Sequence, residues 1–271
     1  MSSASEKSAP EVAIAIRNVV THYGKREVLH GINLDIYKGE TMVILGGSGS
    51  GKSTLIRHIV GLEKVTSGEI DVLGRNICGL KEKDFNAIRR KIGMSFQGSA
   101  LFNSMTIGDN VALPLREHTE LEESTIRIMT RIKLESVGLA GFEDYFPSQL
   151  SGGMKKRAGI ARALAMDPEI LLFDEPSAGL DPVIAAGVDE LINKLKSAFQ
   201  MTIIVVTHEL ASAFLIADRI TVLDKGYLIA TGTKEEIRKS ESPRVRQFLD
   251  RVPESDVGDT EEYLDSLLTD G

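Results

Sequence analysis

Short apolar runs and longer amphipathic stretches alternate along this chain. Thr41–Leu45, Ile170–Phe173 and Thr202–Val206 have strand length and no polar alternation, so they read as strands covered on both faces. Further strands are expected at Ala13–Asn18, Leu34–Tyr37, Gly68–Val72, Ile92–Ser95, Arg219–Asp224 and Tyr227–Thr231, the last two forming a hairpin around Lys225-Gly226. Strands alternating with helix-like stretches imply an α/β domain with a largely parallel sheet. Between Gly98 and Met166 the pattern changes. Helical periodicity dominates there, including Glu122–Val137 and Gly152–Ala165, and no convincing strand occurs. A helical subdomain inserted into the α/β core, at about 98–166, is the reading. A short helix is expected at Pro243–Arg251.

Composition narrows the class. Of the 271 residues 42% are hydrophobic and 26% charged, ordinary for a soluble globular protein. Cys78 is the only cysteine, which excludes an intrachain disulfide and a cysteine-rich zinc site. No stretch approaches the roughly 20 apolar residues of a membrane-spanning helix, so any membrane role is expected to come through a partner. Residues 1–11 read as a disordered lead without a signal peptide. After Pro253 the chain has seven acidic residues and no Lys or Arg, which accounts for the whole net charge of −7. A neutral body with an acidic tail argues against a nucleic-acid-binding face. The tail either solubilises the chain or docks Tyr263, Leu264, Leu267 and Leu268 on a neighbouring subunit.

The chemistry starts at Gly46-Gly47-Ser48-Gly49-Ser50-Gly51-Lys52-Ser53, a full GxxxxGK[ST] loop between a strand and a helical run beginning at Thr54. Glycines let consecutive N–H groups close around phosphates, and the helix N-terminus adds its positive end. Lys52 is placed to neutralise β/γ-phosphate charge, and the Ser53 hydroxyl to ligate Mg²⁺. Asp174 and Glu175 end the Ile170–Phe173 strand. Neighbouring side chains diverge at a strand end, so Asp174 can hold Mg²⁺ while Glu175 orients and deprotonates a water. His208, after Thr202–Val206, could contact the γ-phosphate; Gln97, after Ile92–Phe96, could contact Mg²⁺ or water.

Leu150-Ser151-Gly152-Gly153-Met154 adds a second anion site. Ser151 is a natural N-cap, and the following helix offers free N–H groups. Taken as about sixteen residues, or about 24 Å, that helix is expected to hold its start far from Asp174. A second chain would then be needed to bring Ser151–Gly153 onto a phosphate loop.

These motifs, in this order, resemble the ATP-binding-cassette (ABC) ATPases from about Val12 to Leu249. The resemblance implies a P-loop NTPase with a RecA-like core, an antiparallel β subdomain and the inserted α-helical subdomain, the ATPase domain spanning 12–242 and a C-terminal helix and tail 243–271. It implies that Tyr23 stacks on adenine, that Gly46–Thr54 hold ATP, that Gln97 is the Q-loop residue and that Ala178-Gly179-Leu180-Asp181 is a D-loop. It further implies that His208 is the switch histidine and that Ser151, Gly152 and Gly153 close on the partner chain's ATP. Met154 departs from the Gln common in the family, which puts a polar contact to the opposite nucleotide in doubt.

The LSGGM-Lys-Lys-Arg run, Phe102–Val111, Leu113–Thr119 and Pro243–Leu249 resemble a narrower group, the ATPases of Mla/Mce-type lipid transporters. That likeness implies a homodimeric ATP-Mg²⁺ clamp on the cytoplasmic side of a bacterial inner membrane. Its expected partners are integral permease subunits, a small regulatory subunit and an Mce-type substrate-binding protein, with no direct cargo contact and phospholipid moved between inner and outer membranes. An ATPase for another importer, such as a polar amino-acid system, and a non-transport ABC ATPase remain the alternatives.

Overall fold

A computed structural model describes residues 10–252; the acidic-tail expectations and most of the N-terminal lead lie outside the described residues. In chain order the elements are β1 (Val12–Tyr23), β2 (Arg26–Tyr37), β3 (Thr41–Leu45), α1 (Lys52–Ile59), β4 (Ser67–Val72), β5 (Arg75–Asn76), α2 (Glu82–Arg89) and β6 (Ile92–Ser95). Then come α3 (Ile107–His118), α4 (Glu123–Ser136), α5 (Gly152–Ala163), β7 (Ile170–Asp174), α6 (Pro182–Phe199), β8 (Thr202–Thr207), α7 (Leu210–Ile216), β9 (Arg219–Asp224), β10 (Tyr227–Thr233), α8 (Lys234–Arg238) and α9 (Pro243–Leu249).

Two sheets form. One is antiparallel, in the order β2-β1-β4-β5; the other runs β10-β9-β3-β8-β7-β6 and is parallel except for its β9–β10 hairpin. Lys225 and Gly226, the two hairpin residues, both have positive φ (45° and 83°), the geometry that matches strand twist. In the central strands alternate residues serve different cores. Val43, Leu45, Leu171, Phe173, Ile203 and Val205 pack with the helices of one face. Met42, Ile44, Ile170, Leu172, Ile204 and Val206 pack with α1 and the antiparallel sheet on the other. This double burial is why these strands lack polar positions.

Three expectations need correction. β1 and β2 each run for twelve residues, well beyond the anticipated segments. At Asn18 φ is 47° and the pairing register shifts, so the apolar alternation breaks while the strand continues. Second, α5 has twelve residues, about 18 Å by helix rise, because the chain turns at Leu164 to enter β7. Third, α9 stops at Leu249 rather than Arg251. α3 also passes through Pro114, beginning at a Thr106 hydroxyl that accepts from the Asp109 N–H at 3.1 Å. No helix among the described residues is long and apolar enough to cross a membrane.

Candidate active site

The C-terminal ends of β3, β7 and β8 bring the sequence-selected residues together, the usual place for a site in such a sheet. After β3 the loop 46–53 wraps the start of α1. A Cβ on Gly46 would lie 2.2 Å from the Leu223 carbonyl oxygen, and Gly51 has φ 102°, so neither tolerates a side chain without displacement. Lys52 is buried, its ammonium donating to the Gly46 and Gly47 carbonyls at 2.9 Å each. It stands 3.8 Å from Glu175 Oε1. Burial pushes the Lys52 pKa down, opposed by the nearby Glu175 and Asp174 carboxylates.

Asp174 and Glu175 do diverge. Asp174 Oδ1 accepts from the Ser53 hydroxyl at 3.0 Å, and burial pushes its carboxyl above the ordinary range. Glu175 Oε2 lies 2.9 Å from His208 Nδ1. Glu175 is a non-glycine residue with φ 49°, a strained backbone at the residue whose carboxylate meets both Lys52 and His208. His208 is exposed; its ring reaches inward to that carboxylate. Tyr23, 48% exposed at the end of β1, gives its phenol hydrogen to Glu63 and lies within reach of the Thr54 hydroxyl. Glu63 also accepts from Arg57 of α1 at 3.3 Å, so the ring is tethered to the helix that follows the phosphate loop. Gln97 is exposed at the end of β6, and its carbonyl oxygen accepts from the Lys156 ammonium at 2.5 Å.

Ser151–Gly153 stand apart, but not for the reason read from the sequence. α5 runs back along β6, so its first turns come near the strand ends: Lys156, one turn into the helix, donates to the Glu175 carbonyl at 3.0 Å. The start of α5 is therefore not far from Asp174 along the strand direction. The separation is lateral, because β8 and β7 lie between β3, which carries the phosphate loop, and β6 beside α5. Ser151 caps α5 through the Met154 N–H at 3.3 Å. Gly153 is packed so closely on the D-loop helix that a Cβ would lie 2.5 Å from Ile184 Cγ2. Among the described residues no hydrogen bond joins 151–153 to the phosphate loop.

Sequence reasoning missed the tethers: Glu63 and Arg57 behind Tyr23, and Lys156 and Arg162 behind Gln97. Lys156, Gly159 and Arg162 are successive i,i+3 neighbours on α5, but their partners lie about sixty residues away and leave no signal in the sequence.

The Mg²⁺ expectation fits what is present. Ser53 and Asp174 supply hard oxygen donors side by side, and Mg²⁺ takes few protein ligands beside phosphates and water.

A family model described as ABC transporter matches residues 29–178, more than half of the chain. The "Probable ribonucleotide transport ATP-binding protein mkl" of Mycobacterium leprae is 40% identical over 96% of this chain and 75% of its own length. The "Intermembrane phospholipid transport system ATP-binding protein MlaF" of Haemophilus influenzae is 42% identical over 87% of this chain and 89% of its own. Among solved structures, the dimeric post-hydrolysis state of the ATP-binding cassette MJ0796 bound to ADP and Pi superposes with a TM-score of 0.75. It is 34% identical, over 82% of this chain and 98% of that one. A phosphate loop, paired carboxylates and a cassette fold define a P-loop ATPase. The chain belongs to the ABC transporter family and is an ATPase of that family.

Proposed function

We propose that two copies of this chain clamp two ATP-Mg²⁺ molecules and hydrolyse them, driving phospholipid transport through membrane permease subunits at the cytoplasmic side of a bacterial inner membrane. The observation that carries the hydrolytic part is the meeting of Lys52, Ser53, Asp174, Glu175 and His208 at three strand ends. Tyr23 stacks on adenine, while Gly46–Thr54 wrap the phosphates. Lys52 leaves its loop carbonyls for the β/γ-phosphates. Ser53, Asp174 and the Gln97 side chain would hold Mg²⁺, which would draw charge from the phosphate oxygens. Glu175 aligns a water on the γ-phosphorus and takes its proton as the new P–O bond forms and the bond to the bridging oxygen breaks. The products are ADP and phosphate. His208 fixes the Glu175 carboxylate. Ser151, Gly152 and Gly153 of the other copy close the site with N–H groups and a hydroxyl. The paired assembly in the solved MJ0796 cassette supports this reading.

Membrane subunits are expected in a groove of about 580 Å³ between the core and the helical subdomain, lined by Arg89, Met94, Phe96, Phe102, Leu113 and Arg162. It adjoins the Gln97–Asn110 stretch, so seating a partner there reaches the site through Gln97. The helical subdomain in this reading spans about 98–166 of an ATPase domain over 12–242. A small regulatory subunit and an Mce-type substrate-binding protein complete the assembly.

The relatives' names point to two cargoes, ribonucleotide for mkl and phospholipid for MlaF. The phospholipid reading rests on the 42% identity to MlaF over 89% of its length, while mkl is 40% identical and matches more of this chain (96% against 87%). Replacing Glu175 by Gln keeps the shape and removes the base. ATP hydrolysis is expected to fall by about 10²–10⁴-fold with ATP still bound, and a wild-type rate would remove the assignment. Purification from membranes, with identification of co-purifying subunits and lipid, tests the cargo; a nucleotide or amino-acid permease would redirect it.

A further inference from the structure

The face of α5 that carries Lys156, Gly159 and Arg162 lies against the chain leaving β6. Lys156 is 7% exposed and donates to the carbonyls of Gln97 (2.5 Å) and Glu175 (3.0 Å). Arg162, six residues further on, donates to the carbonyls of Ser99 (2.9 Å) and Ala100 (2.7 Å). Between them Gly159 lets the two backbones approach: a Cβ there would lie 3.2 Å from both Ser99 Cβ and the Ser99 oxygen. Ser99 and Ala100 are consecutive non-glycine residues at φ 61° and 48°. Such backbone persists only where its surroundings over-determine it. The next part of the segment is held too, since the buried Asn110 side chain bonds the Phe102 N–H and the carbonyls of Phe102, Met105 and Thr106.

Burying the Lys156 ammonium against main-chain carbonyls is costly, and Arg162 is half-buried beside it. Burial lowers the pKa of both, opposed at Lys156 by the Glu175, Asp174 and Glu209 carboxylates. Neither makes an ion pair among the described residues. Packing alone would be served by apolar side chains at these positions. What cations add is a directional hold on particular carbonyls. One of those carbonyls belongs to Glu175 and also accepts from the Ala178 N–H at 3.2 Å, at the start of the D-loop.

We propose that Lys156, Gly159 and Arg162 form a latch that holds the Gln97–Ala100 main chain to the signature helix, and that Lys156 passes the position of that segment directly to Glu175. Lys156 is a positioning residue, since it touches the main chain of Glu175 and not its carboxylate. The latch rests on the reading of Glu175 as base and of the segment after Gln97 as the face toward the membrane partner. A subunit pressing on Gln97–Ala100 moves α5 and the Glu175 carbonyl together, so partner contact and water alignment change in one step.

The test uses the full chain in the complex with which it co-purifies from membranes. Lys156→Met is expected to lower kcat about tenfold or more, the loss of charge-assisted hydrogen bonds, while ATP affinity stays within about twofold. Amide hydrogen exchange across 97–102 should accelerate in the same variant. Lys156→Arg, which keeps a cation, should retain slow exchange and most of kcat. If Lys156→Met does not accumulate folded, Arg162→Gln frees only the Ser99–Ala100 end. It should show faster exchange there and a lower kcat at unchanged ATP affinity. Unchanged exchange over 97–102, or an unchanged kcat, in a folded variant overturns the latch. A wild-type rate in Glu175→Gln would instead bring down the active-site reading beneath it, and the two failures are separately visible.

Discussion

Gly93 in β6 faces the end of α5 with no room for a methyl group. A Cβ there would stand 2.3 Å from the Ala163 carbonyl oxygen, 3.0 Å from its carbon and 2.9 Å from Leu171 Cδ1. The nearest atom is backbone, so no rotamer change relieves the contact, and Gly93→Ala must part the helix from the strand. Overpacking of this kind costs about 1–3 kcal/mol, which for a chain of this size lowers Tm by roughly 2–10 °C. The functional effect is expected to exceed the thermal one. Lys156 and Arg162 ride on the displaced helix, and a misplacement of about 1 Å at reacting groups can cost on the order of a hundredfold in rate. Differential scanning calorimetry, with ATPase assays well below the variant's Tm, separates the two effects. A variant with wild-type Tm and rate would show that the α5–β6 spacing is soft and would refute the reasoning.

Tyr23→Ala should weaken ATP binding by about 5–150-fold, the value of one base stacked on an aromatic ring, while inorganic tripolyphosphate binds as before; equal losses for both would place the base elsewhere. Asp189 is 3% exposed, accepts one hydrogen bond from Ser212 at 2.7 Å, and leaves Oδ1 without a partner among the described residues. Burial raises its pKa, so its stabilising contribution is present at low pH and is lost as pH rises through the folded value. Asp189→Asn should therefore raise Tm near neutral pH, with the gain shrinking as pH falls into the carboxylate range; a gain that grows on acidification would contradict it.

The parts of the fold legible in the sequence were those in which local chemistry and tertiary burial agree. Thr41–Leu45 and the middle four residues of Arg219–Asp224 are buried because both faces are covered, and both ends of each strand match the structure. The phosphate loop was legible because its glycines answer a backbone demand that no other residue meets. Asn18 hid the second half of β1, since a left-handed residue resets the alternation that marks a strand. α2 went unread because only Phe85 and Ile88 of its eight residues are buried, too few to make a periodic signal. The position of Ser151 was misjudged for a different reason. Helix length says how far a helix travels but not that α5 folds back along β6, and Lys156 on the Glu175 carbonyl reveals that direction. The tethers join residues far apart in sequence, Tyr23 to Glu63 and Gln97 to Lys156, and pairings of that range leave no local pattern.

The shared site is the central claim, and complementation tests it most directly. One tagged copy carries Lys52→Met, which disables its phosphate loop; the other carries Ser151→Arg, which blocks its signature. Each variant alone should be inactive, because every site then has one defective half. A mixed pair contains one intact site, formed by the phosphate loop of the second copy and the signature of the first. With random pairing, up to roughly a quarter of the wild-type rate should return, since about half the pairs are mixed and each has one of two sites restored. A mixture that forms mixed pairs by tag capture but hydrolyses no more ATP than its separate components would contradict a site built from two chains.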